Sequence, residues 1–329
     1  MKTLLITISL LFSAHRAFAV DTTMAAFCQA PYDTVCGNSQ QETDLRTQRI
    51  QAVEAALKKP ALAAAFQAWK GNTEMPASFS ENDFKNITPK KQRQRVTKTF
   101  LTELRNQLRR YLVENQIPTD LHIPEIKESL LRAIANSPEV PAEIREKMQA
   151  AVRETRVISI TEVDEQMLAS ANRDIIEMYH GCDKDMFMDN AFATEMKKNQ
   201  KVVIVCPGEL IGSVEFAKAE GLPHGFEVGP LIMTLGHEMG HHFDFTVFPE
   251  AYPGLMQTLN KGDSYGSEIT ADIWGIKAFA IATANLNNSN YKTTLIRGAM
   301  NDLCGTPDDG EHPDGQFRVD VLAKGYLCK

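Results

Sequence analysis

The first half of the chain carries apolar residues at helical spacing. Between residues 41 and 156, runs of Ala, Leu, Glu, Lys, Gln and Arg are punctuated by prolines, a pattern typical of successive helices with short breaks. Residues 100–113 repeat apolar side chains every three or four positions and leave a basic face for solvent. We therefore expect a helical N-terminal region over residues 20–156.

The pattern changes after residue 156. Residues 201–205 read KVVIV, a β-branched run that predicts a strand, and a Pro-Gly pair follows it. Two long helical patterns come next, near residues 231–245 and 267–284. The expected fold is α+β and mostly helical, with a small sheet in a second domain over residues 157–329.

The first 19 residues have the pattern of a secretory signal peptide. Lys2 precedes an apolar run over residues 4–12, and Ala17-Phe18-Ala19 forms a small-x-small cleavage site. The run is shorter than the roughly 20 apolar residues that span a bilayer. We expect cleavage near Ala19 and a secreted or periplasmic protein without stable membrane insertion.

All six cysteines follow this signal. An even number behind an export signal favours disulfide bonds in an oxidising compartment. The sequence alone does not choose among the many possible pairings, and sequential pairing is the simplest expectation. A cysteine zinc site is disfavoured because the chain has no Cys-x-x-Cys pair. The positions are Cys28, Cys36, Cys182, Cys206, Cys304 and Cys328.

The overall charge excludes one class of partner. The formal net charge is -7, and no dense block of lysine or arginine is present. A nucleic-acid surface depends on basic side chains that neutralise phosphates. We therefore expect no nucleic-acid partner.

The second domain contains His-Glu-x-x-His at residues 237–241. Residues four apart lie on one face of a helix, so His237 and His241 can direct imidazole nitrogens at one metal ion. Glu238 lies beside them, where its carboxylate can accept a proton from water activated by the ion. His242 points elsewhere and is expected not to be a ligand. Gly236, just before the motif, and Gly240, within it, lie four residues apart and predict the close approach of a neighbouring backbone.

The next helical pattern offers a third ligand. A catalytic zinc ion normally has three protein ligands and an open position. Glu268 and Asp272 lie one turn apart on one helix face, so Glu268 can bind the ion while Asp272 accepts the other ring N–H of a histidine ligand. Two solvated acids are the ordinary alternative, but the histidine pair needs an acidic partner of this kind. We predict a zinc site formed by His237, His241 and Glu268.

Four motifs together resemble one peptidase family. GHEMGHHFD and SEITADIWG are similar to the Gly-His-Glu-x-x-His-x-Phe-Asp and Glu-x-x-Ala-Asp motifs of the neprilysin-like (M13) zinc peptidases, which are gluzincins. Asn190-Ala191-Phe192 with the following KVVIVCPGEL, and HPDGQFRV at residues 312–319, resemble two further motifs of that family in the same order. The chain is far shorter than typical members, so it resembles a short form without their large helical cap.

The resemblance carries specific expectations. It implies a zincin catalytic domain with one Zn²⁺ per chain, in which an edge strand at Asn190 and Ala191 binds the substrate backbone. It implies that His312 steadies the oxyanion and that Arg318 holds a substrate carbonyl. Met233, one turn before His237, is either plain core or, through the family, part of an apolar pocket beyond the scissile bond.

These observations predict an exported zinc-dependent endopeptidase that acts on peptide or protein substrates, with Glu238 as general base. The alternative is a non-catalytic secreted protein that retains the zinc site, although a closed site would need a fourth protein ligand. A metallohydrolase with another substrate is disfavoured by the strand at Asn190 and Ala191. The N-terminal helices are either a wall of the cleft or an inhibitory propeptide, and the sequence does not separate the two. The oligomeric state is likewise open.

Overall fold

The structure is a computed structural model that describes residues 24–37, 105–106, 109–110, 113–114, 123–159, 190–196, 199–222 and 229–328. The expected signal peptide and most of the expected helical N-terminal region lie outside these residues. In chain order the described elements are α1 Met24–Gln29, α2 Pro31–Cys36, α3 Ile123–Ala135, α4 Ala142–Glu154, β1 Arg156–Ser159, β2 Ala191–Met196, β3 Gln200–Val205, α5 Pro207–Ala219, α6 Leu231–Gly240, α7 Leu255–Thr258, α8 Gly266–Ala282, α9 Ser289–Met300 and α10 Gly315–Leu322. Short 3-10 turns flank several helices, and a π-helical turn, Ala323–Leu327, follows α10.

The described strands form a small sheet in the order β1-β3-β2. β1 is parallel to β3, with Arg156 opposite Val202, and β2 is antiparallel to β3, with Ala191 opposite Val205. The strand predicted at residues 201–205 is confirmed, and the mostly helical composition with a small sheet agrees with the predicted fold class. β2 therefore has one open side within the part of the chain that the structure describes.

Helix α3 packs against the second half of the chain. Its apolar face, with Ile126, Leu130 and Ile134 fully buried, packs against α8, and α4 packs against β3. β1 begins at the predicted domain boundary and completes the sheet on one side. Residues 123–159 consequently share one hydrophobic core with residues 190–328.

Helices α6 and α8 cross with their backbones in close contact. A Cβ atom built on Gly236 would lie 2.9 Å from the Cα of Gly275, and one on Gly240 would lie 3.0 Å from the Cα of Ala271. Only glycine allows such an approach at these crossing points. The close backbone contact predicted from the two glycines of α6 is confirmed, and it brings one face of α6 directly against α8 at Ala271 and Gly275.

Two disulfides connect the beginning of the described chain to its end. Cys28 is bonded to Cys328, and Cys36 is bonded to Cys304. The expected sequential pairing is wrong for these four cysteines, because α1 and α2 pack against α9, α10 and the turn that follows α10 rather than only against each other. Cys206 is also disulfide-bonded. Within the described residues, no helix is both long and apolar enough to cross a bilayer.

Candidate metal centre

Helices α6 and α8 carry the predicted metal ligands on their facing sides. His237 lies in the last turn of α6, and His241 follows where that helix gives way to a 3-10 turn. Glu268 lies in the first turn of α8. Because the two backbones touch, the side chains from both helices reach a common point.

Three donor atoms converge at that point. The Nε2 atoms of His237 and His241 are 3.1 Å apart. The Glu268 carboxylate places Oε2 3.4 Å from Nε2 of His237 and Oε1 3.5 Å from Nε2 of His241. Ligand atoms about 2.0–2.2 Å from a tetrahedral ion are roughly 3.3–3.5 Å from one another. Among the described residues, this three-residue group could hold a metal ion.

The hydrogen bonds of the two imidazoles favour a cation between them. Nδ1 of His237 is 2.8 Å from Oδ1 of Asp272, and Nδ1 of His241 is 3.2 Å from Oδ2 of Asp244. Both aspartates have a pKa below its usual range, so they are ionised and can only accept. In the neutral imidazoles, each Nδ1 therefore carries the hydrogen, and two Nε2 lone pairs face the Glu268 carboxylate. This electron-rich arrangement attracts a positive ion.

The pKa values follow from the same arrangement. Burial disfavours the charged form of His237, but the carboxylates of Asp272 and Glu268 outweigh it and raise its pKa to about 10. Burial raises the pKa of Asp244 in part, whereas hydrogen bonds from His241, Ser267 and Thr246 lower it to about 2. The centre is thus built to stabilise positive charge among fixed carboxylates.

Glu238 lies next to this group. Its carboxylate Oε1 is 3.9 Å from Nε2 of His237, and only 9% of the residue is exposed. Burial raises the pKa of Glu238 above its ordinary value, while the neighbouring histidines and the backbone N–H of Ala193 oppose the increase. A carboxylate with a raised pKa beside a metal group is suited to accept and return a proton.

Asp272 connects His237 to Arg318. The Arg318 guanidinium donates from Nε to Oδ2 of Asp272 over 2.7 Å and from Nη2 to Oδ1 over 2.8 Å. Burial opposes ionisation of Asp272, but Arg318 and His237 hold its pKa well below the usual range. This geometry fits the predicted partner of a histidine ligand, and a guanidinium has five N–H donors, so this pair leaves donors for a further contact.

His312 approaches the centre from the loop before α10. Its Nε2 is 3.2 Å from Oε2 of Glu268, and its Nδ1 is 2.9 Å from Oδ2 of Asp309. Asp309 also accepts the backbone N–H groups of Glu311 and His312, and these bonds lower its pKa to about 2. The ring is therefore fixed by its own loop, with one nitrogen turned towards the metal group.

His242 faces away, as expected. Its Nε2 donates to the backbone carbonyl of Val202 over 3.2 Å, and burial lowers its pKa to about 4. A neutral imidazole committed to a strand carbonyl has a structural role between α6 and β3.

A pocket of about 190 Å³ opens beside the centre. Its lining includes four residues of the centre, His237, Glu238, Asp272 and Arg318, together with Asn190 and Ala191 where β2 begins. Thus the structure brings five predicted site residues to one pocket together with His237. The remaining walls are formed by Glu209, Met233, Thr234, Ala299, Asp302 and Leu303.

Several residues of the centre were not predicted from sequence. Asp244 and Ser267 orient His241, and Asp309 orients His312. Asp244 and Asp309 each lie three residues from the histidine they contact, a spacing visible in the sequence. Ser267 contacts His241 only because α6 and α8 meet, so no local pattern indicates it.

No protein-family model, curated protein or solved structure matches this chain.

Proposed function

We propose that this protein is an exported zinc-dependent endopeptidase. The observation that carries the proposal is the convergence of His237, His241 and Glu268 at tetrahedral spacing, with the carboxylate of Glu238 3.9 Å from the first histidine. Two nitrogen donors and one carboxylate form a typical catalytic zinc ligand set, and the three-ligand group leaves positions for water and substrate. The four motifs that resemble neprilysin-like peptidases support the same function.

The three ligands would hold the ion, and Asp272 and Asp244 would keep each histidine in the tautomer that offers Nε2. A bound zinc ion would supply a Lewis acid that polarises the scissile carbonyl and makes water acidic enough to lose a proton near neutral pH. Carboxylates that accept the outer N–H of a histidine ligand, as Asp272 and Asp244 would, typically raise the basicity of the ligand and fix the orientation of its ring.

Glu238 acts as the general base in this proposal. Its buried carboxylate takes a proton from the attacking water and returns it to the nitrogen of the leaving amine. Because burial raises its pKa, the protonated form that must donate in the second half of the reaction is more accessible than for an exposed glutamate.

His312 and Arg318 stabilise charge on the substrate. His312 lies with Nε2 towards the centre and is held by Asp309, so when doubly protonated it donates a hydrogen bond to the oxyanion. Arg318 lines the pocket and can donate to a substrate carbonyl while it remains bonded to Asp272.

β2 binds the substrate backbone. It is at the edge of the sheet within the described residues, and Asn190 and Ala191 border the pocket. An extended peptide that pairs with such an edge gains main-chain hydrogen bonds without regard to its side chains. This surface favours a peptide over a small compact substrate.

The test compares the parent protein with Glu238→Gln on a mixed peptide library, with cleavage read by mass spectrometry and zinc content measured in the same samples. We expect cleavage by the parent alone, while both proteins hold about one zinc ion per chain. Glu220→Gln, an exposed change of the same chemistry at the end of α5, should cut like the parent.

Two results would contradict the proposal. Equal cleavage by Glu238→Gln would remove Glu238 from the mechanism. Zinc binding without cleavage by any variant would favour the non-catalytic zinc-binding alternative or a latent form.

A further inference from the structure

Helix α8 offers a hydrogen-bonding group to each of the two candidate histidine ligands. Oδ1 of Asp272 lies 2.8 Å from Nδ1 of His237. Earlier on the same helix, Oγ of Ser267 lies 3.2 Å from Nδ1 of His241. Glu268, the third candidate ligand, lies between these two positions in α8. One helix therefore carries a ligand and also contacts the rings of both other ligands.

The direction of the hydrogen bonds at Ser267 follows from its neighbours. Its hydroxyl donates to Oδ2 of Asp244 at close range. An ionised carboxylate can only accept, so the single hydroxyl hydrogen is used there and the lone pairs of Oγ are left for His241. Nδ1 of His241 then carries a hydrogen and shares it between Oγ of Ser267 and Oδ2 of Asp244, each 3.2 Å away. In the neutral ring, both contacts keep the lone pair on Nε2.

Ser267 also connects α8 to the segment that follows α6. Asp244 belongs to that segment, and its Oδ1 accepts the backbone N–H and the hydroxyl of Thr246 over 2.8 and 2.6 Å. Its Oδ2 accepts the Ser267 hydroxyl. On the next turn of α8, the hydroxyl oxygen of Thr270 accepts the backbone N–H of Phe245 over 2.9 Å. Two hydroxyl groups of α8 thus hold the segment directly after His241.

The cluster of Ser267, His241 and Asp244 has the residue types of a serine hydrolase triad but a different geometry. In such a triad, the serine and the aspartate contact opposite nitrogens of the imidazole. Here both contact Nδ1 of His241, and Nε2 faces His237 and Glu268. The arrangement is therefore suited to position the ring, and it does not suit a serine nucleophile.

We infer that Ser267 is a positioning residue that fixes His241 relative to Glu268 before a metal ion binds. Because Ser267 and Glu268 are adjacent in α8, a hydroxyl that holds the His241 ring also fixes the separation of these two ligands. The inference rests on the proposed function, since it assigns a role within the same zinc site. A preorganised ligand set binds an ion without first having to order its side chains, so its affinity is higher.

The first experiment measures the zinc affinity of the full-length protein by competition with a chelator. Ser267→Ala removes the hydroxyl and leaves Asp244 in place. We expect its Kd for zinc to be about tenfold higher than that of the parent, the lower end of the range typical when a partner of a metal ligand is lost. Ser267→Thr retains a hydroxyl and should bind zinc with an affinity close to that of the parent.

Ser264→Ala is the matched control for this measurement. Ser264 is an exposed serine in the 3-10 turn Asp263–Tyr265, directly before α8. Its replacement removes a hydroxyl group of the same kind close to the same helix. The Ser264→Ala protein should bind zinc with the same affinity as the parent.

The second experiment measures the mobility of the two histidine rings in the metal-free protein. NMR relaxation of the ring carbons reports this motion, and the signal of each ring is assigned by its loss in His241→Gln or His237→Gln. In Ser267→Ala, the His241 ring should become more mobile, whereas the His237 ring, which Asp272 holds, should not. Ser267→Thr should restore the parental mobility. An equal increase at both rings would indicate a general loosening of the fold and would overturn the inference.

The outcomes distinguish this inference from the proposed function. Weaker zinc binding together with a more mobile His241 ring in Ser267→Ala supports the positioning role, even if the parent cuts no peptide and the endopeptidase is overturned. Parental zinc affinity in Ser267→Ala overturns the positioning role, and cleavage by the parent would still support the peptidase. Equal losses of zinc affinity in Ser267→Ala and Ser267→Thr overturn the role of the hydroxyl.

Discussion

Arg318 and Asp272 form a buried two-point ion pair, in which Nε and Nη2 of the arginine donate to the two carboxylate oxygens over 2.7 and 2.8 Å. The same carboxylate accepts the Nδ1 hydrogen of His237 over 2.8 Å. The pair therefore connects α10, α8 and α6 at one side chain. A substitution at Asp272 should therefore affect both the free energy of unfolding and the orientation of His237 in the candidate metal site.

Asp272→Asn should weaken both properties. The substitution leaves the buried Arg318 without a counter-ion, and breaking a buried pair costs about 3–5 kcal/mol of unfolding free energy. The amide also cannot fix the His237 tautomer in the same way, so zinc affinity should fall about 10–100-fold. Urea unfolding and a competitive zinc titration measure the two effects.

Asp320→Asn is the matched control for that change. Asp320 lies on α10 and pairs with Lys324 near the surface, where an ion pair contributes about 0–1 kcal/mol. The Asp320→Asn protein should bind zinc with the same affinity as the parent. If Asp272→Asn keeps parental zinc affinity, Asp272 does not position His237.

Gly275→Ala should separate the two helices that carry the candidate metal ligands. A Cβ atom at this position would lie 2.7 Å from the backbone oxygen of Met233 and 3.0 Å from the backbone nitrogen of His237. Backbone atoms cannot rotate away as a side chain can, so the helices must shift, at a cost of about 1–3 kcal/mol. Zinc affinity should fall with stability, because His237 moves relative to Glu268.

The control for this prediction is Gly325→Ala in the π-helical turn. A Cβ atom there meets nothing within 4 Å. We expect little change in the melting temperature or in zinc affinity. A Gly275→Ala protein as stable as this control would contradict the close packing of α6 and α8.

Asp309→Asn should lower the rate of peptide hydrolysis and leave bound zinc intact. Asp309 holds the His312 ring through Nδ1 and anchors the loop through two backbone N–H groups. Removal of an oxyanion donor typically costs about a hundredfold to a thousandfold in kcat, and a donor that is only misplaced should cost less. His312→Ala should produce a loss at least as large, and the double variant should be no slower than His312→Ala.

Asp308→Asn tests whether the effect is specific. Asp308 is the adjacent residue and accepts a hydrogen bond from the Tyr265 hydroxyl rather than from His312. The kcat of the Asp308→Asn protein should remain close to that of the parent. Equal losses in Asp308→Asn and Asp309→Asn would mean that the loop, not the histidine contact, is being measured.

Tyr326 should make the folded protein less stable at alkaline pH. Burial raises its pKa to about 12, whereas an unfolded tyrosine titrates near pH ~10. Between these values the unfolded chain has lost the proton and the folded chain retains it, so the free energy of unfolding falls as pH rises. In Tyr326→Phe this part of the decrease should be absent.

Urea unfolding at pH 7 and across this alkaline window checks the Tyr326 prediction. At pH 7 the Tyr326 hydroxyl keeps its proton in the folded and in the unfolded chain. The difference in unfolding free energy between parent and variant at this pH is therefore the baseline. The gap between parent and variant should change only as pH rises above about 10. An unchanged difference would contradict a raised pKa of Tyr326 in the folded protein.

The grouping of His237, His241 and Glu268 could be predicted because its geometry is mostly local. His237 and His241 are related by one helical turn, as are Glu268 and Asp272, and glycines in α6 mark where the second helix must approach. The strand at residues 201–205 was visible for the same reason, since its β-branched run is an uninterrupted local pattern. Short-range periodicity was sufficient for these elements.

The disulfides could not be predicted in the same way. Cys28 and Cys328 are 300 residues apart, and their contact arises from the packing of α1 and α2 against the C-terminal helices. Neither helix periodicity nor cysteine spacing indicates which helices pack against each other. The meeting of Glu209 and Asp302 in one pocket is also tertiary, because α5 and the end of α9 are separate in sequence.

The two cross-links at Cys28–Cys328 and Cys36–Cys304 close the polypeptide into a covalent ring. A single cut between residues 38 and 122 would open the backbone without releasing either fragment. Residues 24–37 would remain attached whether the segment after them is a cleft wall or an inhibitory propeptide. A single cut in that segment would therefore become visible as separate pieces only after the disulfides are reduced.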